Sequence, residues 1–278
     1  MEEKVTKINT INSKSIGRTA SVKCIVDGIT QTGGPTLFSI SDGTGTFVAK
    51  AFDGAGVRAY PSIKMGDVIR VLMEVREYND ALEGEVMKMF KIQGSDEKSI
   101  RDEINSELRR RAEPEKVEFM VKSQILDKLK EKFIDAARQI RLAIVQNRPI
   151  IVRHHNDADG YSSGYTLERA ILPLIKKQHG TEKAMRTYYS RAPSNSPFYE
   201  IEDSIKDTAI SLMDFVKFSE KIPLIVIVDT GSSRESLLGI KQGKVHGIDF
   251  IVVDHHFFEE DLISKEVLVH INPFLVGE

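Results

Sequence analysis

Residues 148–160 read RPIIVRHHNDADG. Three apolar residues, Ile150, Ile151 and Val152, lead into two histidines, two aspartates one residue apart, and a glycine. A short, unbroken apolar run bounded by polar residues reads as a strand buried on both faces. The pattern recurs downstream. Leu224–Val228 is followed by Asp229-Thr230-Gly231-Ser232, and Phe250–Val253 by Asp254-His255-His256; a fourth apolar run covers Val267–Ile271. Helical patterns at 161–178, 202–220 and 233–243 separate these runs, and strand–helix alternation predicts a doubly wound parallel sheet. Ligands of such sheets bind beyond the carboxyl ends of the strands, so the three polar clusters are expected along one edge.

Several carboxylates crowded together repel one another, and some must take up protons unless a cation neutralises them. Aspartate and neutral imidazole suit Mn²⁺ best, and Mg²⁺, Zn²⁺ or Fe²⁺ less selectively. His155, Asp157, Asp159, Asp229 and His255 nearly supply a pair of divalent cations. At roughly 3.5–4 Å separation, such a pair can lower the pKa of a shared water and neutralise a phosphoryl oxygen. The two aspartates, at i and i+2, can address different ions, and Gly160 lets the backbone turn sharply into the next helix. Taken singly, Asp157 or Asp159 reads equally well as a helix cap, and a histidine pair as structural. Three clusters at three strand ends favour the metal.

The remaining composition sets bounds. Net charge is −2 and 41% of the 278 residues are hydrophobic, so any basic surface is local rather than global. A single cysteine, Cys24, excludes a disulfide framework and a cysteine-based zinc site. No apolar run reaches the ~20 residues needed to span a bilayer, and the N-terminus, MEEKVTKINT, lacks the apolar stretch of a signal peptide. A cytoplasmic protein with no membrane partner is expected.

Upstream, residues 16–93 are rich in β-branched residues and glycine turns. TLFSISDGTGTFVAKAF (36–52) signals a hairpin around Asp42-Gly43-Thr44-Gly45, and residues 66–92 give two more strands around a turn near Asn79-Asp80. Short, closely spaced strands predict a small sandwich or barrel, and the size with the Gly66-Asp67 pair opening a strand favours an OB-like barrel, over residues 1–94. Residues 95–147 carry mixed charges, including Arg109-Arg110-Arg111. After Pro114, apolar residues from Ile125 to Ile144 recur at helical spacing. This stretch reads as a charged helical linker, with the triple arginine as an alternative phosphate contact. The α/β domain then occupies 148–278.

HNDADG, VDTGS and VVDHH resemble motifs one to three of the DHH phosphoesterase superfamily. RAPSNSPFYE (191–200), KIPLIVIVDTGSS (221–233) and HINPFLVGE (270–278) further resemble archaeal RecJ-like exonucleases that carry an OB domain before the DHH domain. The resemblance implies that His155 and Asp157 hold one metal, Asp159 and His255 the other, and that Asp229 bridges them. His256 would face the scissile phosphate or protonate the leaving oxygen, and Asp254 would orient the histidines. His154 is left open between a substrate-facing and a structural role. The family adds a fourth-motif aspartate and a closing domain. Only 22 residues follow His256, with Asp261 as their one aspartate, so an incomplete, C-terminally truncated DHH domain is expected.

Single-stranded DNA or RNA is the expected partner, alongside replication or repair proteins. Barrel contacts are sought among Phe38, Phe47, Lys50, Phe52 and Tyr78. Arg191, in a loop-rich stretch with Arg186, Tyr188, Tyr189 and Tyr199, is a candidate phosphate clamp. The leading expectation is a metal-dependent single-strand exonuclease using two cations, Mn²⁺ or Mg²⁺. The alternatives are a phosphoesterase on dinucleotides or other small phosphates, and a non-catalytic adaptor.

Overall fold

Strand alternation decides the first half of the chain. In β1 (Thr19–Gln31) Ala20, Val22, Cys24 and Val26 are buried while their neighbours Thr19 and Lys23 face out. β2 (Thr36–Ser41), β3 (Thr46–Ala51), β4 (Val68–Tyr78) and β5 (Ala81–Lys91) alternate similarly, and the five close into a barrel of order β1-β2-β3-β5-β4. Closure uses a parallel β3–β5 pairing at Ala49↔Gly84 and Lys50↔Glu85; every other pair is antiparallel. Gly84 sits where β5 serves both neighbours, and a Cβ there would collide with the Met73 side chain. The β2–β3 turn is tied by Asp42 Oδ1, which accepts from Thr44 N at 2.9 Å and Gly45 N at 3.3 Å, while Gly43 takes φ +83°. This is a closed five-stranded barrel, as expected from the size and the Gly66-Asp67 pair, and the sandwich alternative falls away.

The computed structural model describes residues 5–79, 81–179, 182–194, 196–218 and 221–277. Asn79 turns the β4–β5 hairpin with φ +49°; Asp80, the other half of the expected turn, lies outside the described residues. Contacts divide the chain into two units, Met1–Arg110 and Arg111–Glu278. The division falls inside the stretch read as a linker. Its first helix, α1 (Ser95–Ala112), begins in the barrel unit, where Ile104 packs against Gly43. Its second, α2 (Gln124–Val145), belongs to the other unit and buries Leu129, Ala136, Ala143 and Ile144. Arg110 pairs with Glu107, and Arg111 donates to Gln178 Oε1 at 2.6 Å.

The second unit is a parallel sheet. β6 (Ile150–His154), β7 (Tyr189–Pro193), β8 (Leu224–Val228), β9 (Asp249–Val253) and β10 (Val269–Ile271) lie in the order β10-β9-β8-β6-β7. β6, β8 and β10 are buried along their whole length. α2 and α3 (Ala158–His179) cover one face, packing Leu129, Ile171 and Ile175 against Ile150, Val152 and Val226. The opposite face packs Ile151, Ile225 and Ile227 against Tyr199 and Ile240 of α6 (Ser236–Val245). Between β6 and β8 the chain passes, after α3, through the short α4 (Lys183–Thr187), β7 and α5 (Ile201–Phe218).

Over residues 201–213, α5 inverts the usual amphipathic rule: the buried positions there are polar (Asp203, Ser204, Asp207, Thr208), while Ile201, Ile205 and Ile210 are exposed. The cause is Arg153, buried in the middle of β6, whose Nε reaches Asp207 Oδ2 at 3.0 Å. Tyr199 Oη donates to the same carboxylate oxygen at 3.1 Å. A buried cation needs such partners, since breaking the pair would strand a charge at a loss of about 3–5 kcal/mol. Among the described residues no helix is long and apolar enough to cross a membrane.

Candidate metal centre

Adjacent parallel strands in register deliver their next residues to one edge. β6 pairs β8 through His154↔Val228, and β8 pairs β9 through Val228↔Val253. The residues that follow are His155, Asp229 and Asp254.

Asp157 is the N-cap of α3. Its Oδ1 accepts the Gly160 N–H at 2.9 Å, the bond expected of a capping aspartate. Its Oδ2 remains for the site and lies 2.9 Å from His155 Nδ1. That contact is within ion-pair distance but lacks hydrogen-bond geometry, for His155 Nδ1 is buried without a partner. Capping and ligation therefore use different oxygens. Gly160 is required for space rather than for turning. Its φ is not positive, and an added Cβ would lie 2.7 Å from the His155 carbonyl carbon.

Asp229 stands between the two histidine groups. Its Oδ1 is 2.9 Å from His255 Nε2, and its Oδ2 is 3.9 Å from His155 Nδ1. Oδ2 is buried and has no hydrogen-bond partner. The residue holds a left-handed backbone, φ +60°, which costs on the order of 1 kcal/mol outside glycine and marks functional positions more often than others. Donor atoms of His155, Asp157 and Asp229 fall within 4.8 Å of one another, as do those of Asp229, His255 and His256. One carboxylate thus belongs to both triads, one oxygen toward each.

Charge states follow from these contacts. The Gly160 N–H holds the Asp157 carboxyl low, against its partial desolvation. Burial, then the neighbouring Asp157 carboxylate, pushes Asp229 up. Two acids driven in opposite directions beside enclosed, unpaired nitrogen and oxygen atoms form a set that a divalent cation would satisfy. The residues present therefore fit a metal.

Asp254 is a hub beneath the pair. Its Oδ1 accepts from His255 N at 2.7 Å, His256 N at 3.1 Å and His256 Nδ1 at 2.8 Å; its Oδ2 accepts from Ser232 N at 2.9 Å. Burial alone would raise its pKa, but these donors keep it below the ordinary value. Desolvation likewise pulls the His256 imidazole down, and the Asp254 carboxylate outweighs it, so the net direction is up. The bond to Nδ1 leaves Nε2 of this half-exposed ring facing outward.

A fourth strand end joins in. Asn272, fully buried just beyond β10, donates through Nδ2 to Ser232 Oγ at 2.9 Å and to the His256 carbonyl at 3.0 Å. Ser232 Oγ also meets buried His270 Nε2 at 2.9 Å. The loops after β8 and β9 are thus clamped from β10. Sequence reading missed Asn272, Ser232 and His270, although the rule that found the other clusters, a polar residue ending a buried run, applies equally to Asn272.

The remaining expectations divide. Asp159 is exposed in the first turn of α3 and belongs to neither triad. His154 is fully enclosed. Its Nδ1 meets the His155 carbonyl at 2.7 Å and its Nε2 faces Arg191 Nη1 at 3.2 Å, so both ring nitrogens meet the chain's own groups. Arg191 also donates from Nε to Glu168 Oε2 at 2.8 Å. The stretch read as a loop around it is strand β7. Tyr199 is buried rather than exposed, and Tyr188 stacks on His179 with ring centroids 4.1 Å apart. In the barrel, Phe38 is fully buried and Phe47 packs against the core, because both point inward on their strands; Phe52 and Tyr78 are exposed. Lys50 pairs with Glu83 and lies 4.0 Å from the Tyr78 ring centroid.

Comparison with known proteins agrees with this geometry. Residues 149–274 match the family model described as DHH family, N-terminal domain. The chain is 44% identical over 255 residues to Uncharacterized protein MJ1198 of Methanocaldococcus jannaschii, covering 90% of this chain and 34% of that protein. It thus spans about a third of the length of this curated relative. It is also similar to a solved structure described as "Member of s1p family of ribosomal proteins PF0399 DHH domain". Identity there is 41% and the TM-score 0.63, covering 66% of this chain and 44% of that one. Strand-end triads, sheet order and family match converge on residues 149–274 as the part of the chain that is similar to the DHH family N-terminal domain.

Proposed function

We propose that this chain is the catalytic part of a metal-dependent exonuclease that hydrolyses phosphodiester bonds of single-stranded DNA or RNA. The observation that carries the reading is Asp229, whose two carboxylate oxygens face two different histidine groups at the ends of adjacent strands. His155, Asp157 and Asp229 would hold one divalent cation. Asp229 and His255 would hold the second, to which we also assign the exposed Asp159, leaving His256 beside them for the substrate. Such cations, Mn²⁺ first and Mg²⁺ second, supply charge neutralisation at phosphoryl oxygen and a lowered pKa for the attacking water.

The chain's own groups do the rest. Asp254 anchors Nδ1 of His256 and raises the pKa of its ring, so that a protonated imidazole would give its Nε2 proton to the leaving oxygen. His154 is a positioning group, locked between the His155 carbonyl and Arg191. Arg191, engaged with Glu168, lines a groove with Arg186 and Tyr189 in which a phosphate can be met. The barrel unit is the single-strand holder.

The test is degradation of end-labelled twenty-nucleotide DNA and RNA, and of a dinucleotide, with and without Mn²⁺. Release of mononucleotides from the long substrates, abolished by Asp229→Ala, is expected. Cleavage of the dinucleotide alone would replace the exonuclease with a small-phosphate esterase, and metal-independent or absent cleavage would end the proposal.

A further inference from the structure

The barrel's outer surface carries two faces of opposite electrostatic character. On the β3 side, Lys50 is paired with Glu83 and lies opposite the exposed Glu85 in register. The one cation among the expected contacts there is already neutralised.

The β1–β4–β5 face differs. Lys23 of β1 lies directly opposite Arg70 of β4, and Arg70 directly opposite Phe90 of β5. One step along the same side, Ser21 faces Leu72 and Leu72 faces Lys88. Lys23, Arg70, Leu72, Lys88 and Phe90 point outward, because their neighbours Val22, Cys24, Ile69, Val71 and Met89 are buried, while Ser21 is itself buried. Strand spacing makes each cross-strand row about 10 Å wide. Phe90 is 58% exposed, and Arg70 Nε donates to Ser21 Oγ at 3.0 Å, which holds the guanidinium against the sheet. Among the described acids, Glu74 pairs with Arg76, and Asp67 with Lys91. Beside the row of Ser21 and Leu72 lies a groove of about 650 Å³, closed by Val5, Thr6 and Thr10. Three cations around an exposed aromatic ring, with a groove alongside, match the chemistry of a single strand: phosphates for the cations, a base for the ring.

We propose that single-stranded nucleic acid runs across the β1–β4–β5 face, with phosphates on Lys23, Arg70 and Lys88 and a base stacked on Phe90. This face, not that of Lys50 and Tyr78, is the barrel's binding surface. The inference rests on the reading of the barrel as a single-strand holder.

Binding is measured by fluorescence anisotropy on the whole chain, with labelled twenty-nucleotide oligothymidylate and oligouridylate in chelator. Lys23→Glu with Lys88→Glu should weaken binding at least about 10-fold, and its log–log salt slope should fall by about 1.4, or 0.7 for each lost phosphate contact. Phe90→Ala should weaken it roughly 5- to 100-fold. Phe90→Trp installs a tryptophan in a chain that has none, and its emission should be quenched by the oligonucleotide. Lys50→Glu with Tyr78→Ala serves as the contrasting arm and should weaken binding far less. The reverse ranking, unaltered binding by the Lys23/Lys88 variant, or no binding by the natural chain overturns the inference. Cleavage of the same oligonucleotides in Mn²⁺ separates it from the nuclease reading: cleavage without face-dependent binding removes only this inference, and face-dependent binding without cleavage removes only the nuclease.

Discussion

The barrel and the sheet present their chemistry in different ways. In the sheet, each reactive side chain follows a buried strand directly, so a few consecutive residues contain both the support and the function. In the barrel, the side chains that could meet a ligand alternate with core residues along strands distant in sequence, and only the pairing register brings Lys23, Arg70 and Phe90 together. Chemistry at strand ends is local in sequence. Chemistry on a strand face is not.

If the two units work separately, damage to one should leave the other's property intact. The largest effect is expected from Phe38→Ala in the barrel core, which should lower barrel stability by about 3–5 kcal/mol. Denaturant unfolding followed by circular dichroism checks this, and Mn²⁺ affinity should not change. Loss of metal binding in this variant would break the separation. Next comes Asp229→Ala. Removing the carboxylate shared by both triads should reduce Mn²⁺ affinity and hydrolysis at least about 100-fold, more than loss of a supporting residue, with oligonucleotide binding by the barrel retained. Calorimetric titration with Mn²⁺ measures it.

Asn272→Ala sharpens the point within the sheet. It removes the clamp on Ser232 and on the His256 carbonyl without touching a donor atom of either triad. Metal affinity should fall about 10- to 100-fold, while Asn272→Asp, which keeps the shape but replaces donors with acceptors, should do no better.

The smallest effect is a pH slope. Burial against Tyr188 lowers the His179 imidazole to about 4. The folded-state pKa lies below the unfolded one, so the stabilisation is complete above about pH 6.5 and is lost as pH falls toward 4. Stability of the second unit should drop by about 1 kcal/mol per pH unit in that window. His179→Gln should flatten the slope, as read from denaturation midpoints at pH 7, 6 and 5.

What could be read from sequence follows the same divide. Leu224–Val228 coincides with β8 because a strand buried on both faces has no polar interruption to blur its ends. β7 went unread because it is an edge strand, polar along Tyr189-Ser190-Arg191 and ended by proline, which resembles a loop. The triads around Asp229 were legible as residues but not as geometry. The family resemblance implies Asp159 beside His255, whereas the fold groups His256 with His255 and Asp229. Nor could it separate capping from ligation at Asp157, since one carboxylate has two oxygens and the helix takes only one. Phe38 and Phe52 look alike in sequence, but Phe38 points inward on β2 while Phe52 lies just past the end of β3 and is exposed.

Cys24 has a practical consequence. Fully enclosed in the barrel, its thiol is held well above its ordinary pKa by burial and then by Asp42 and Asp27, so the folded chain offers no competing site for maleimide or disulfide reagents. A cysteine introduced on the outer surface would take a dye cleanly, and the rate at which Cys24 itself becomes labelled would time the barrel's opening.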